Sequence, residues 1–163
     1  MVIIVIKTII SNSPSASLTL RQSGITVDAS HTATVDVPVT IKSDETWTIG
    51  AGSTLRLKSP ADMTTAYAVT VAGSGATSGS GESEQPTSVL RLDAGNGFIG
   101  DLSISGAKVD VYSTTNAFGP AGDGVVTLAD SKLIMHGGVI ESLSRSAGRT
   151  TSTTGSAYTA PTS

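Results

Sequence analysis

Apolar and polar residues alternate with a period of two along most of this chain. Leu18 and Leu20 flank Thr19, Ile25 and Val27 flank Thr26, and Val35, Val37, Val39 and Ile41 alternate with Asp36, Pro38 and Thr40. Trp47 with Ile49, Leu55 with Leu57, Val69 with Val71, and Leu90 with Leu92 continue the pattern. Successive side chains of a strand point to opposite sides, so each run predicts a short strand with one apolar face and one face of Thr, Ser, Arg or Asp. Between the runs stand turn residues: Gly50-Ala51-Gly52, Asp93 to Gly97, Gly106, and Asp130-Ser131. No window carries helical spacing over three turns, and the best helical candidate, Pro60 to Ala68, is short. The chain is expected to be all-β.

Three tracts depart from the alternation. Val2, Ile3, Ile4, Val5 and Ile6, followed by Ile9 and Ile10, form an apolar run without it and read as a strand buried on both faces. Lys7 lies inside the run, not before it, against the layout of a secretory signal. The run is also too short to span a bilayer, so no membrane association is expected. Residues 73–86, GSGATSGSGESEQP within them, bury nothing and predict an exposed loop. Residues 149–163 have the Ser/Thr composition of an extended tail. The expected organisation is an N-terminal arm or strand at 1–17, a β domain at 18–148 and a C-terminal tail at 149–163.

One internal similarity bears on the architecture. Leu102, Ile104, Lys108, Val109 and Val111 can be laid on Val126, Leu128, Lys132, Leu133 and Met135, an offset of 24 residues. In each segment an apolar-x-apolar strand meets a short corner ending in Lys, and a second strand follows. Trp47-x-Ile49, a glycine corner, and Leu55-x-Leu57 repeat the form less strictly. Such a repeat suits a short β-solenoid, or β-helix-like domain, with extended N- and C-terminal arms. A β-sandwich of hairpins alternates in the same way, and periodicity does not separate the two.

Composition narrows the function. Only 14% of the residues are charged and 4% are aromatic, with a net charge of −3. Globular chains carry about 25% charged residues, and here Gly, Ser, Thr and Ala fill the difference. Lys and Arg are scattered singly, so no phosphate-neutralising patch forms and nucleic-acid binding is not expected. The absence of cysteine excludes disulfides, thiolate zinc sites and thiol catalysis.

Chemical motifs are scarce. His31 and His136 lack the neighbours of a metal or catalytic motif and read as surface or corner residues. No nucleophile elbow or phosphate-binding loop is present. Asp93 to Gly97 and Gly119 to Gly124 are glycine-rich loops with oxygen ligands to offer, but neither matches a calcium-loop pattern. Asp93, Asp101, Asp123 and Asp130 are the carboxylates that stacked coils could gather for glycoside chemistry. Trp47 is in phase with the apolar face and reads as a core plug. Lys108 and Lys132 hold equivalent repeat positions and are expected to stack at one outer edge. No catalytic residue, cofactor or metal ligand is assigned.

The phrases Val39-Thr40-Ile41, Trp47 to Leu57 and Val126 to Ile140 resemble coils of parallel β-helices, as in phage tailspikes, autotransporter passengers and pectin-lyase-like enzymes. No lyase signature accompanies the likeness. The chain is also similar to the decoration or cement proteins of tailed-phage capsids, which are short, cysteine-free, Ser/Thr/Gly-rich β-proteins with arms. That resemblance implies a non-enzymatic virion protein on the capsid exterior, a homotrimer bound to the major capsid protein or other virion proteins. Its assembly interface would use Val2, Ile3, Ile4, Val5, Ile6, Ile9, Ile10 and Tyr158. Two alternatives remain beside it: a receptor- or glycan-binding spike or fibre module using Tyr67, Tyr112 or Tyr158, and a polysaccharide-degrading β-helix.

Overall fold

The computed structural model describes residues 15–22, 24–80, 84–114, 116–119, 124–136, 150–152 and 157–159, the last two stretches by their backbone alone. All regular structure among the described residues is β-strand. The strands fall into three parallel ladders that the chain visits in turn. The first wall consists of β2 (Ile25–Val27), β5 (Glu45–Ile49), β8 (Val69–Gly73), β12 (Leu102–Ser105), β14 (Val126–Ala129) and β16 (Thr150–Ser152). The second consists of β3 (Thr32–Val35), β6 (Thr54–Leu57), β11 (Val89–Leu92), β13 (Lys108–Val111), β15 (Lys132–Met135) and β17 (Ala157–Thr159). The third holds β1 (Leu18–Leu20), β4 (Val39–Ile41) and β7 (Ala61–Met63), extended by a parallel bridge from Asp62 to Gly97.

Parallel pairing in register places like positions of successive circuits beside one another, about 4.8 Å apart. Ile25, Trp47, Val71, Ile104 and Leu128 form one inward column of the first wall. Ala33, Leu55, Leu90, Val109 and Leu133 form its counterpart in the second. All of these side chains are buried, with Leu20, Ile41, Phe98 and Phe118 filling the third side. The alternation read from the sequence is therefore the alternation between the interior and the outer faces. With about 1.5–3 kcal/mol gained by burying each large aliphatic side chain, the columns supply the bulk of the folding free energy.

The repeat offset of 24 residues is the pairing register itself: Leu102 lies beside Val126, Ile104 beside Leu128, and Lys108 beside Lys132. Four of the described circuits turn from the first wall to the second through a left-handed residue two positions before the second-wall strand. Ser30 (φ 61°), Gly52 (φ 66°), Gly106 (φ 60°) and Asp130 (φ 48°) hold that place. Glycine carries no steric cost there, and Asp tolerates the conformation better than most residues. In the circuit from β8 to β11 the corner is replaced by an excursion carrying the antiparallel pair β9 (Thr77–Ser78) and β10 (Gln85–Pro86). Residues 74–80 and 84 are exposed, and Gly73, Gln85 and Pro86 are half-buried.

Two expectations change. The helical candidate Pro60 to Ala68 contains β7 followed by irregular chain, because Ala61 and Met63 face the interior with Asp62 between them outside. Within the expected tail, β16 pairs with β14 and β17 with β15, so Thr-rich segments extend both walls. The expected arm residues Met1 to Pro14 lie outside the described residues.

Candidate functional site

The outer face of the second wall concentrates the charge of the described chain. Its central column runs Thr34, Arg56, Arg91, Asp110 and Ile134. One strand position beyond the inward Val35, Leu57, Leu92, Val111 and Met135 come Asp36, Lys58, Asp93, Tyr112 and His136. The register sets Arg56 directly beside Arg91, an unfavourable like-charge neighbour pair. Asp93 resolves it: its Oδ2 accepts from Arg56 Nε at 2.6 Å and its Oδ1 from Arg91 Nε at 2.6 Å. That hydrogen bond raises the Arg91 pKa further above its ordinary value, outweighing the opposing effect of desolvation. Asp110 does the same one circuit on, accepting from Lys108 Nζ at 3.1 Å and lying 3.1 Å from His136 Nε2. Lys58 pairs with Asp36 at the near end of the same face.

An aromatic stack joins this network. The Arg91 guanidinium lies 3.9 Å from the Tyr112 ring centroid, a cation–π contact. From the following circuit, His136 stacks on Tyr112 with centroids 4.1 Å apart and planes 5° from parallel. Tyr112 is nevertheless 39% exposed.

The first wall is the opposite. Its outer face carries the column Thr46, Thr70, Ser103 and Thr127, with Thr151 next in backbone register, and beside it Thr26, Thr48, Ala72, Ser105 and Ala129. No charged residue stands in either column. Thr46, Thr48, Thr70, Ser103 and Ser105 are exposed.

A recess of about 250 Å³ opens where the third side meets the first wall, with Asp44, Ala66, Ile99 and Asp101 in its lining. Its two carboxylates are occupied as corner caps, Asp44 accepting from Ala68 N and Asp101 from Val125 N, both at 2.9 Å. Of the carboxylates considered for catalysis, Asp93 lies beyond β11, Asp101 before β12 and Asp130 between β14 and β15, at three separate corners. Asp123 lies outside the described residues. Among the described residues no group of three or more His, Asp or Glu side chains is placed to hold a metal.

No family model, curated protein or solved structure matches the chain. Its functional reading therefore stands on its own residues. Trp47 is wholly buried, edge-on to Phe98 at 6.1 Å, as expected of a core plug. His31 is exposed at a corner, with Nδ1 2.7 Å from the Ala29 carbonyl. Lys108 and Lys132 do stack in register, but they open inner strands of the second wall, where Asp110 pairs Lys108. Tyr67 is half-buried against the core. Of the expected interface, Val2, Ile3, Ile4, Val5, Ile6, Ile9 and Ile10 lie outside the described residues. Tyr158 lies in β17 beside Leu133, its side chain also undescribed.

Several polar residues that hold the corners carry no sequence motif. Ser53, Ser88 and Ser131, each one residue before a second-wall strand, are buried and donate to carbonyls of the preceding turns: Ser53 to Asp28, Ser88 to Ile49, and Ser131 to Ala129. Buried Asn96 ties three segments, accepting from Ala61 N and donating to the Ala94 and Ala117 carbonyls. Buried Glu45 accepts from the backbone N–H groups of Gln22 and Gly24, and so fastens the first circuit to the second. Their signal is a recurrence at corner positions, visible only once the register is known.

Proposed function

We propose that the chain is a short β-solenoid that serves as a structural protein on the exterior of a virus particle, a decoration or cement protein of a tailed-phage capsid. In this reading it forms a homotrimer and sits where shell subunits meet, burying its outer surface against copies of itself and the major capsid protein. The parallel, in-register ladders support the solenoid. The observation that carries the structural role is the charge-free outer face of the first wall. A pleated surface of Thr, Ser and Ala side chains can be covered by another protein without desolvating ions, whose burial costs several kcal/mol each. Its hydroxyls rotate to suit either a donor or an acceptor in the partner.

The test is light scattering of the purified protein, alone and mixed with shell particles, for the parent chain and for Thr70→Lys combined with Ser103→Lys. The reading expects an oligomer that binds shells, and a double variant that stays folded but loses the contact. A parent chain that is monomeric and binds no shell overturns it.

One observation favours a second reading, a glycan-binding spike or fibre module: Tyr112 is exposed beside His136, Asp110 and Lys108. A sugar-stacking platform needs a free ring face, however, and Arg91 and His136 approach Tyr112 from the preceding and following circuits. Glycan binding abolished by Tyr112→Ala would favour this reading over the first.

A further inference from the structure

Register gathers cations that the sequence scatters. Of the seven described Lys and Arg residues, five stand on the outer face of the second wall: Arg56, Lys58, Arg91, Lys108 and Lys132. Only three of the ten described carboxylates, Asp36, Asp93 and Asp110, share that face. The rest of the described chain holds two cations and seven carboxylates, so this face is positive on an otherwise acidic molecule. The five cations form a diagonal track. Lys58 follows β6, which carries Arg56; Arg91 stands beside Arg56 on β11; Lys108 and Lys132 are register neighbours on β13 and β15. With strands about 4.8 Å apart and about 3.3 Å per residue, the track from Lys58 to Lys132 is about 20 Å long. Its neutralisation is incomplete. Asp93 serves two arginines, Asp110 serves Lys108 and contacts His136, and no ion pair reaches Lys132 among the described residues. Asp130, two residues before Lys132, occupies the left-handed corner and pairs with neither lysine.

We propose that this track binds a linear anionic polysaccharide, one that carries carboxylate or sulfate groups along its chain. The cationic heads are already held in place. Asp93 tethers Arg56 and Arg91, Tyr112 supports Arg91, and Asp110 tethers Lys108. Their side chains nevertheless keep 22–33% of their surface open, so an anion can reach them with little further ordering. The track also has an uncharged side. On β6 and β11 the outward residues before the arginines are Thr54 and Val89, whereas Asp93 follows Arg91. A chain that approaches from that side meets the cations before any carboxylate. Thr32 and Thr54, neighbours in register there, offer hydroxyls that donate to or accept from those of a sugar. A single-stranded nucleic acid fits less well, because base stacking needs an aromatic ring with an open face. Arg91 and His136 already stack on Tyr112 from the preceding and following circuits. The proposal depends on neither a shell partner nor a free ring at Tyr112, and it leaves the neutral first wall to protein contact.

Calorimetric titration of the full chain with a polyuronate, and separately with a sulfated glycosaminoglycan, tests the track. At least one of the two should bind at low salt, weaken by about tenfold or more in 1 M salt, and lose its binding once carboxyl-reduced or desulfated. Lys132→Glu, at an outward residue without an ion pair, should weaken that binding by about fivefold or more with the unfolding transition retained. Thr54→Glu, which sets a carboxylate on the side of approach, should act alike. Thr70→Glu adds the same charge to the first wall and should leave the affinity unchanged. The inference is overturned by no binding of either polymer, by equal binding of the charge-removed forms, or by full affinity in either second-wall variant. Tighter binding of a single-stranded oligonucleotide than of both polymers overturns it as well. Shell binding is measured separately on the same preparations, so its absence would remove the capsid reading and leave the polysaccharide track standing.

Discussion

The first and second walls are built on the same inward columns of aliphatic side chains, yet their outer faces share almost nothing. One carries Thr46, Thr70, Ser103 and Thr127 in a column without a charge. The other carries two ion-pair triads, Arg56 and Arg91 on Asp93, and Lys108 and His136 on Asp110, linked through the Tyr112 stack. The interior constrains both walls equally, because each inward residue must fit its neighbours one rung above and below. The outside is constrained by register alone. Wherever a charge stands in a parallel ladder, the next circuit brings another residue to within about 5 Å of it, and a like charge there must be neutralised. The second wall meets this demand through Asp93, two residues on from Arg91, which accepts from both arginines. On the first wall the demand never arises, and that wall is left free to be covered.

The contrast can be broken in graded steps. Truncating an inward side chain removes the same support from either wall, so Leu90→Ala and Ile104→Ala should each cost about 2–5 kcal/mol in denaturant unfolding. A large difference between the two would mean that the walls do not share one core. Asp93→Ala leaves Arg56 and Arg91 adjacent without their shared acceptor. The expected loss is about 1–2 kcal/mol, reduced toward the parent value in 1 M salt. His136→Ala removes the outer layer of the aromatic stack and one partner of Asp110, with an expected loss of roughly 0.5–1 kcal/mol. On the first wall, Thr70→Lys alone should change stability by no more than about 0.5 kcal/mol, because its register neighbours Thr46 and Ser103 carry no charge. Urea titrations at low and high salt check all four. A salt-sensitive first wall or a salt-insensitive Asp93→Ala variant would erase the distinction between the faces.

Much of the interior was legible in the sequence, because burial on one side of each strand imposes the period of two that Leu18 to Leu92 display. The 24-residue offset was legible where circuits are uniform, from Leu102 to Met135. Between β6 and β11 it was not, since the excursion through β9 and β10 places Val89 beside Thr54 in register but 35 residues later in sequence. Pairing direction was also hidden: alternation specifies which side of a strand is buried, not which way its neighbour runs. The second-wall cluster escaped for a similar reason. Arg56 and Asp93 are 37 residues apart, and no local spacing announces them as partners. Trp47 was readable as a core residue from its phase. Its Nε1, buried without a hydrogen-bond partner, was not, because that depends on what the neighbouring circuits offer. Replacing the indole by Phe loses contact area but also removes this orphaned donor, so Trp47→Phe should cost far less than Trp47→Ala.

Parallel, in-register stacking underlies both the charge pairing and the neutral wall. It is tested most directly by electron paramagnetic resonance of nitroxide labels at Thr70→Cys and Ser103→Cys, outward neighbours in register on β8 and β12. Cα atoms on adjacent strands lie about 5 Å apart, so the doubly labelled chain should show strong spin–spin broadening that is absent from either single label. A double-label spectrum equal to the sum of the two singles would contradict the stacking.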